Sequence, residues 1–292
     1  MTIGLALAGC GAPQPTSVPV PQAEVTQALI PEPTGQLAAT VNGVPITVET
    51  YERELARRRA GWAALGWELP TDGADEQQVL NVVIEYELIR QEAEAQGMVI
   101  TDEQVNAEIA ELIELSGGTE AFEAWREANM FTEEEFREVT RLELLTQQLL
   151  AGVVEGVPNV AEQVHARHIL VDTQEEGEAI LQQLSAGADF AALAAEYSRD
   201  TSTRENGGDL DWFPRGGLLW TEVEEAAFSL EAGQISTVVA SPVGYHIVQT
   251  LERDPAREVP PETLDRLRKR AIDDWKASLW EGADIQRFIG EP

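Results

Sequence analysis

At 292 residues the chain is long enough for two domains and a sizeable core, and its 43% hydrophobic content argues against wholesale disorder. A net charge of −32, with Lys269 and Lys276 the only lysines among twenty basic residues, makes a surface that repels phosphate backbones and excludes nucleic acid as a partner. The acidity reads either as solubility, suited to a saline or hot habitat, or as steering of cationic substrates; the first is preferred.

In chain order, an apolar run from Met1 ends in LAGC at Leu7–Cys10, which holds the only cysteine, so no internal disulfide is possible. Residues 11–36 are rich in Pro, Gln, Thr and Ser and predict a disordered, semi-rigid tether. No other segment approaches the ~20 apolar residues needed to span a bilayer. LAGC resembles the lipobox of bacterial lipoproteins, in which the cysteine takes a diacylglyceryl group and the chain is cut just before it. The resemblance implies a signal remnant over 1–10, lipidation at Cys10 and an extracytoplasmic protein held to the membrane by lipid. Two features depart from it: no Lys or Arg precedes the run, and the run is short for a signal. A start placed too late explains both; the alternative is a disordered tail with an idle cysteine.

The folded part begins at Leu37. LAATVNGVPITVETYERELARR alternates apolar residues around the turn pair Asn42-Gly43, predicting a hairpin followed by a helix from Val48. Val79, Val82, Tyr86, Ile89 and Ala93 recur at helical spacing, and Gly97 is placed to stop that helix. TDEQ (Thr101–Gln104) and TEEE (Thr132–Glu135) fit the capping box, so helices start there. The second runs on through Phe136, Val139, Leu142, Leu145 and Leu149. Trp62 and Trp67 either line a client groove or are buried in the helical core, and burial is favoured.

After Val157-Pro158 the pattern changes. VHARHILV (Val164–Val171) predicts a strand, two short helices follow, and NGGDLDWFPRGG (Asn206–Gly217) places glycines around Trp212 and Phe213. That stretch reads as a tightly turned loop beside a hydrophobic pocket, or as the corner of an ordinary core. A short helix around EVEEAAFSL and a strand GYHIVQTLE (Gly244–Glu252) come next. Beyond Pro260-Pro261 a long helix carries Leu264, Leu267, Ala271, Trp275 and Leu279 on one stripe, which must be buried, most simply against the helical part. The basic run Arg266–Arg270 on it reads as an ion-paired, solvated face.

The three histidines are His165, His168 and His246. His165 and His168 are an odd number of strand positions apart and point to opposite faces, which with no cysteine in the folded part argues against a metal site. His168 and His246 meet on one face if their strands pair.

ARHILV, EYSRD, NGGDLDWFPRGG, EEAAFSLEAGQIS and GYHIV resemble, in order and spacing, the parvulin-type peptidyl-prolyl isomerases over about Gln163–Glu252. The preceding part, with ATVNGVPITVETYERE, resembles the amino-terminal domains of PrsA- and SurA-type extracytoplasmic foldases, which often return a carboxy-terminal helix to the helical domain. Together these imply an α+β chain: a mostly helical domain (37–157 with 258–290) and a parvulin domain (160–256) with a small antiparallel sheet flanked by helices. They imply an isomerase and chaperone acting on unfolded or partly folded polypeptides with X-Pro bonds, without cofactor or metal; the alternative is a non-catalytic holdase with a degenerate parvulin domain.

Carried over by motif, His168 and His246 match the family's histidine pair. Asp200 stands where relatives carry Asp or Cys, Ser198 opens that segment, and Ser241 matches a supporting hydroxyl. Leu210, Leu219 and Val223 align with the proline-pocket wall, Phe228 with a nearby core aromatic, and Trp212 is counted with the substrate-binding residues. Leu219 and Val223 replace the usual methionine and phenylalanine, which predicts a wider, less aromatic pocket. Asp211 replaces a usual glycine, at a cost of ~1 kcal/mol if that position needs positive φ.

Overall fold

The computed structural model describes residues 35–68 and 73–289, so Cys10 and nearly all of the tether lie outside the described residues. Strands β1 (Leu37–Val41) and β2 (Val44–Thr47) form the expected hairpin, with Val41 opposite Val44. Asn42 and Gly43 both take positive φ, the geometry a two-residue turn needs to match strand twist. Thr47 then caps α1 (Val48–Ala64), its side chain accepting from the Thr50 N–H.

Helix α2 (Ala74–Ala95) ends where Gly97 adopts φ 68°. Helices α3 (Asp102–Leu115) and α5 (Glu133–Glu155) open on complete capping boxes, Thr101 with Gln104 and Thr132 with Glu135. Between them stands α4 (Thr119–Ala128), which sequence periodicity did not reveal; its Phe122 packs edge-on against Phe136 at 5.2 Å.

The buried band of α2 differs from the expected stripe. Val79, Ile89 and Ala93 are buried, but Leu80, Val83, Ile84 and Leu88 fill the rest of the core, leaving Val82 half-buried and Tyr86 exposed. The cause is that α2 contacts α1, α5, β1 and the last helix of the chain (Pro261–Glu281) at once, so its covered face is rotated from that of a helix with one partner. On α5, Val139 is likewise exposed. Trp67 is exposed rather than buried and packs edge-on against Trp62 at 6.0 Å.

The second sheet holds β3 (Val160–Val171), β4 (Asp209–Pro214), β5 (Val239–Ser241) and β6 (Gly244–Glu258), antiparallel in the order β4-β3-β6-β5. Helices α6 (Gln174–Ser185) and α7 (Phe190–Tyr197) cover one face, packing Ile180, Phe190 and Leu193 on Ile169, Val171 and Ile247. Helix α8 (Thr221–Ser229) covers the other, packing Val223, Ala227 and Phe228 on Val164, Ala166 and Val248. The glycine-bounded stretch is thus not a loop throughout. Six of its residues are β4, where Phe213 faces the α8 core beside Val164 and Trp212 alternates to the opposite side beside His165.

Helix α9 (Pro261–Glu281) starts with proline in its first turn and packs on α2 and α5, bringing Trp275 and Leu279 against Ile89, Ala93 and Leu149. Strand β7 (Ile285–Arg287) follows and pairs with β1, giving a three-stranded sheet in the order β2-β1-β7.

Candidate active site

Strands β3 and β6 pair so that Leu170 opposes His246 and His168 opposes Val248. The two histidines are therefore diagonal neighbours on one face, the α8 face, within reach of each other. Both are buried; their rings stack with centroids 5.2 Å apart, and Nδ1 of one lies 3.0 Å from Nδ1 of the other. His168 Nε2 is 2.8 Å from Asp200 Oδ2, and His246 Nε2 is 2.8 Å from Ser241 Oγ. Four side chains from separate segments thus form one line: Asp200, His168, His246, Ser241.

The charge on Asp200 orders the protons along that line. Burial by itself would raise the Asp200 pKa, but bonds from Ser202, Thr203 and His168 outweigh it and hold the carboxyl well below the usual carboxylate range. An ionised Asp200 only accepts, so His168 Nε2 carries a proton and donates. Burial holds His168 below its ordinary pKa against the pull of Asp200, so the ring is neutral and its Nδ1 is an acceptor. His246 Nδ1 must then donate. Burial, with the neighbouring His168, pushes His246 down to about 4, so it too is neutral and its Nε2 accepts. The Ser241 hydroxyl, which accepts from the Val243 N–H, donates to that nitrogen.

Local structure explains how Asp200 arrives. Ser198, buried at the end of α7, accepts from the backbone N–H of Leu170 at 3.2 Å and of Asp200 at 3.3 Å, while the Arg199 N–H bonds the Leu170 carbonyl at 2.8 Å. Ser198 thus bonds the strand that carries His168 and the backbone of Asp200, and makes no hydrogen bond to either ring. Asp200 in turn accepts from the Ser202 N–H and hydroxyl and from the Thr203 hydroxyl, which also lies 3.2 Å from His168 Nε2. Thr203 and Ser202 were missed in the sequence; DTST at Asp200–Thr203, an aspartate with hydroxyls two and three positions on, is the signature that marks such a turn.

One glycine answers to the same strand. Gly208, at φ 81°, accepts the His168 N–H through its carbonyl at 2.8 Å, and a Cβ on it would stand 2.0 Å from the His168 carbonyl oxygen. No side chain fits where β4 meets the histidine strand. Asp211 does take positive φ, 58°, in a bulge where Leu210 and Asp211 together face Ala166. The Asp211 N–H bonds Asp209 Oδ1, which also meets His165 Nε2 at 2.8 Å.

The expected proline-pocket residues do not form one open wall. Leu210 is half-buried against the α8 core. Leu219 points to solvent at 81% exposure, and Leu218 packs against the core instead. The buried carboxylate of Glu224 causes this shift: it accepts the Gly216 N–H at 2.8 Å and the Leu218 N–H at 3.2 Å, which turns the chain so that Leu218 faces inward. Val223 and Phe228 are covered core residues, Phe228 lying edge-on to Phe213 at 6.0 Å. Trp212 stands on the opposite face, stacked on His165 with the Arg257 guanidinium 4.4 Å from its ring.

A four-stranded antiparallel sheet with paired central histidines, flanked by α6 and α7 on one side and α8 on the other, defines a parvulin-type isomerase domain. Comparison with known proteins agrees: the PPIC-type PPIASE domain family matches residues 153–254, and the SurA-like N-terminal domain family matches residues 25–150. The Foldase protein PrsA of Caldanaerobacter subterraneus subsp. tengcongensis is 32% identical over 285 residues, covering 87% of this chain and 88% of that protein. The Foldase protein PrsA of Oceanobacillus iheyensis is 37% identical over 158 residues, covering 51% of this chain and 52% of that protein. Among solved structures, the peptidylprolyl isomerase PrsA from Bacillus anthracis aligns at TM-score 0.44 and 26% identity, over 68% of this chain and 93% of that one. The chain belongs to the PrsA foldase family and is a parvulin-type peptidyl-prolyl isomerase.

Proposed function

We propose that Asp200, His168, His246 and Ser241 are the catalytic centre, that Ser198 and Thr203 position it, and that Leu210 and Leu218 form the rim that receives the substrate proline. The observation that carries this reading is the hydrogen-bonded line from Asp200 to Ser241, which fixes an ionised, hydrogen-bonded carboxylate at the mouth of a buried, otherwise neutral pair. A prolyl amide rotates over a barrier of ~18–20 kcal/mol set by its resonance, which takes tens to hundreds of seconds unaided. Resonance loads negative charge on the carbonyl oxygen of the planar amide, and twisting removes it. A fixed carboxylate near that oxygen disfavours the planar form more than the twisted one, and that difference is catalysis. No covalent bond need break.

The same reading divides the chain into a helical chaperone body, 37–157 with 258–290, and an isomerase domain, 160–256; the packing of α9 on α2 and α5 and the pairing of β7 with β1 support it. It places the protein outside the cytoplasm, held by lipid on Cys10 with 11–36 as spacer; among the described residues no helix is long and apolar enough to cross a membrane. Isomerisation of a short proline peptide, measured with and without Asp200→Ala, tests the centre: an unchanged rate in the variant removes Asp200 from it. Mass spectrometry of the native amino terminus tests the anchor; an unmodified Cys10 rules it out.

A further inference from the structure

Helices α2 and α5 leave apolar side chains facing one another across an open furrow. Tyr86 is 41% and Val139 39% exposed, and with Ile46, Val83 and Leu142 they line a hollow of about 290 Å³. Arg90, Glu138 and Leu142 belong also to a second hollow of about 360 Å³, which runs on past Met98 to Val99, itself 76% exposed. The two hollows adjoin through those three residues and together make a groove. Tyr86 and Val139 sit at helical spacing with true core residues, yet the core closes without them. Apolar side chains that the fold does not cover, gathered along one groove, mark an interaction surface.

The charge around the groove selects the occupant. Its lining holds Glu54, Glu87, Glu94 and Glu138 against Arg90 and Arg141; Arg90 is bonded to Glu87 and Arg141 to Glu138, Glu54 is paired with Arg57 beside the groove, and among the described residues Glu94 is the carboxylate left over. Carboxylate is in excess there, as it is over the whole chain. The Tyr86 hydroxyl registers that field: burial raises its pKa, and Glu54, Glu143 and Glu85 raise it further. A second copy of a chain carrying −32 charges is repelled from such a surface. A cationic partner is drawn to it.

We propose that this groove docks apolar segments of unfolded polypeptides that carry lysine or arginine at their flanks. The proposal rests on the foldase reading and adds a site and a charge preference to it, both separate from the isomerase centre.

Two labelled, proline-free peptides with the same apolar core, one flanked by lysines and one by glutamates, test it by fluorescence anisotropy on the full chain. The lysine-flanked peptide is expected to bind about tenfold tighter at low salt, with the gap closing in ~0.5 M salt. The double variant Tyr86→Ser, Val139→Ser is expected to weaken it about fivefold. Glu94→Lys, on a solvent-facing position, should narrow the preference between the two peptides. Isomerisation of a short proline peptide should be unchanged in every variant. Equal binding of both peptides, or wild-type binding by the double variant, overturns the proposal. So does sedimentation showing a dimer that the double variant abolishes, since the occupant is then a second copy. A wild type that binds the peptide but isomerises nothing sinks the catalytic reading and leaves the groove standing.

Discussion

Nδ1 of His168 donates nothing and Nδ1 of His246 donates to it across 3.0 Å, a direction imposed from the far end of the line by ionised Asp200. The two ends of that line should therefore fail differently. His168→Ala leaves the His246 N–H without an acceptor and opens a cavity in a buried site, a loss on the order of 2–4 kcal/mol. Its melting temperature and its activity should both fall. Asp200→Ala acts at the partly exposed end and should cut kcat/KM about tenfold or more with a smaller fall in melting temperature. Calorimetry beside the peptide assay separates them, and a His168→Ala protein that melts like wild type contradicts the structural half.

Acid should destabilise the fold earlier than carboxylates alone would. Both histidines are neutral when folded, His246 with a pKa of about 4, but take up protons near 6.5 when unfolded. Between those values the unfolded chain binds more protons, so stability drops as pH falls from about 6.5 towards 4, at up to ~1.4 kcal/mol per unit for each fully shifted group. Asp200 works in the same direction lower down, its contribution being lost as pH falls below the ordinary carboxylate range. Urea midpoints measured from pH 7 to 4 should show the slope, and His246→Gln should flatten its upper part. A flat wild-type profile above pH 5 would count against buried neutral rings.

Backbone sterics at the start of β4 give a pair of opposite outcomes. Gly208→Ala places a Cβ against the His168 carbonyl in a positive-φ position and should cost about 3 kcal/mol or more. Asp211→Gly relieves a strained φ of 58° and should gain about 0.5–1 kcal/mol, less whatever the lost bond from the Trp212 N–H to the Asp211 side chain contributes. Denaturant midpoints read both.

Glu224 should act on substrate binding without touching substrate. Its carboxylate, with the Gly217 N–H bonded to the Pro214 carbonyl, holds the turn that aims Leu218 inward. Glu224→Ala should raise KM several-fold with a lesser change in kcat, because the rim moves while the histidine line stays, and should cost about 1–3 kcal/mol of stability. A fall in kcat at constant KM would assign it a different part.

The hairpin, both capping boxes and the pairing of His168 with His246 were legible because each rests on a local rule: a turn pair, an S/T-x-x-E/Q box, strand parity. What was lost depends on more than one neighbour. The stripe through Val82, Tyr86 and Val139 has helical period, but which arc of α2 is covered depends on four partners, α1, α5, α9 and β1, arriving together. That Leu218 and not Leu219 packs on the α8 core follows from a carboxylate six residues on, a contact no periodicity carries. Phe213 and Trp212 alternate as a strand should, yet the glycines around them read as loop. Gly208 serves close approach to β3, not a break in the strand.

Strand β7 completes the sheet that β1 begins, and α9 covers helices laid down well over a hundred residues earlier. A chain emerging from ribosome or translocase amino end first can close the β4-β3-β6-β5 sheet while its helical body still waits for its final turns. The sheet that carries His168 and His246 can thus close before β7 and α9 reach the first sheet and the early helices. A truncation after Glu258 should release a working rotamase attached to an unfinished bundle.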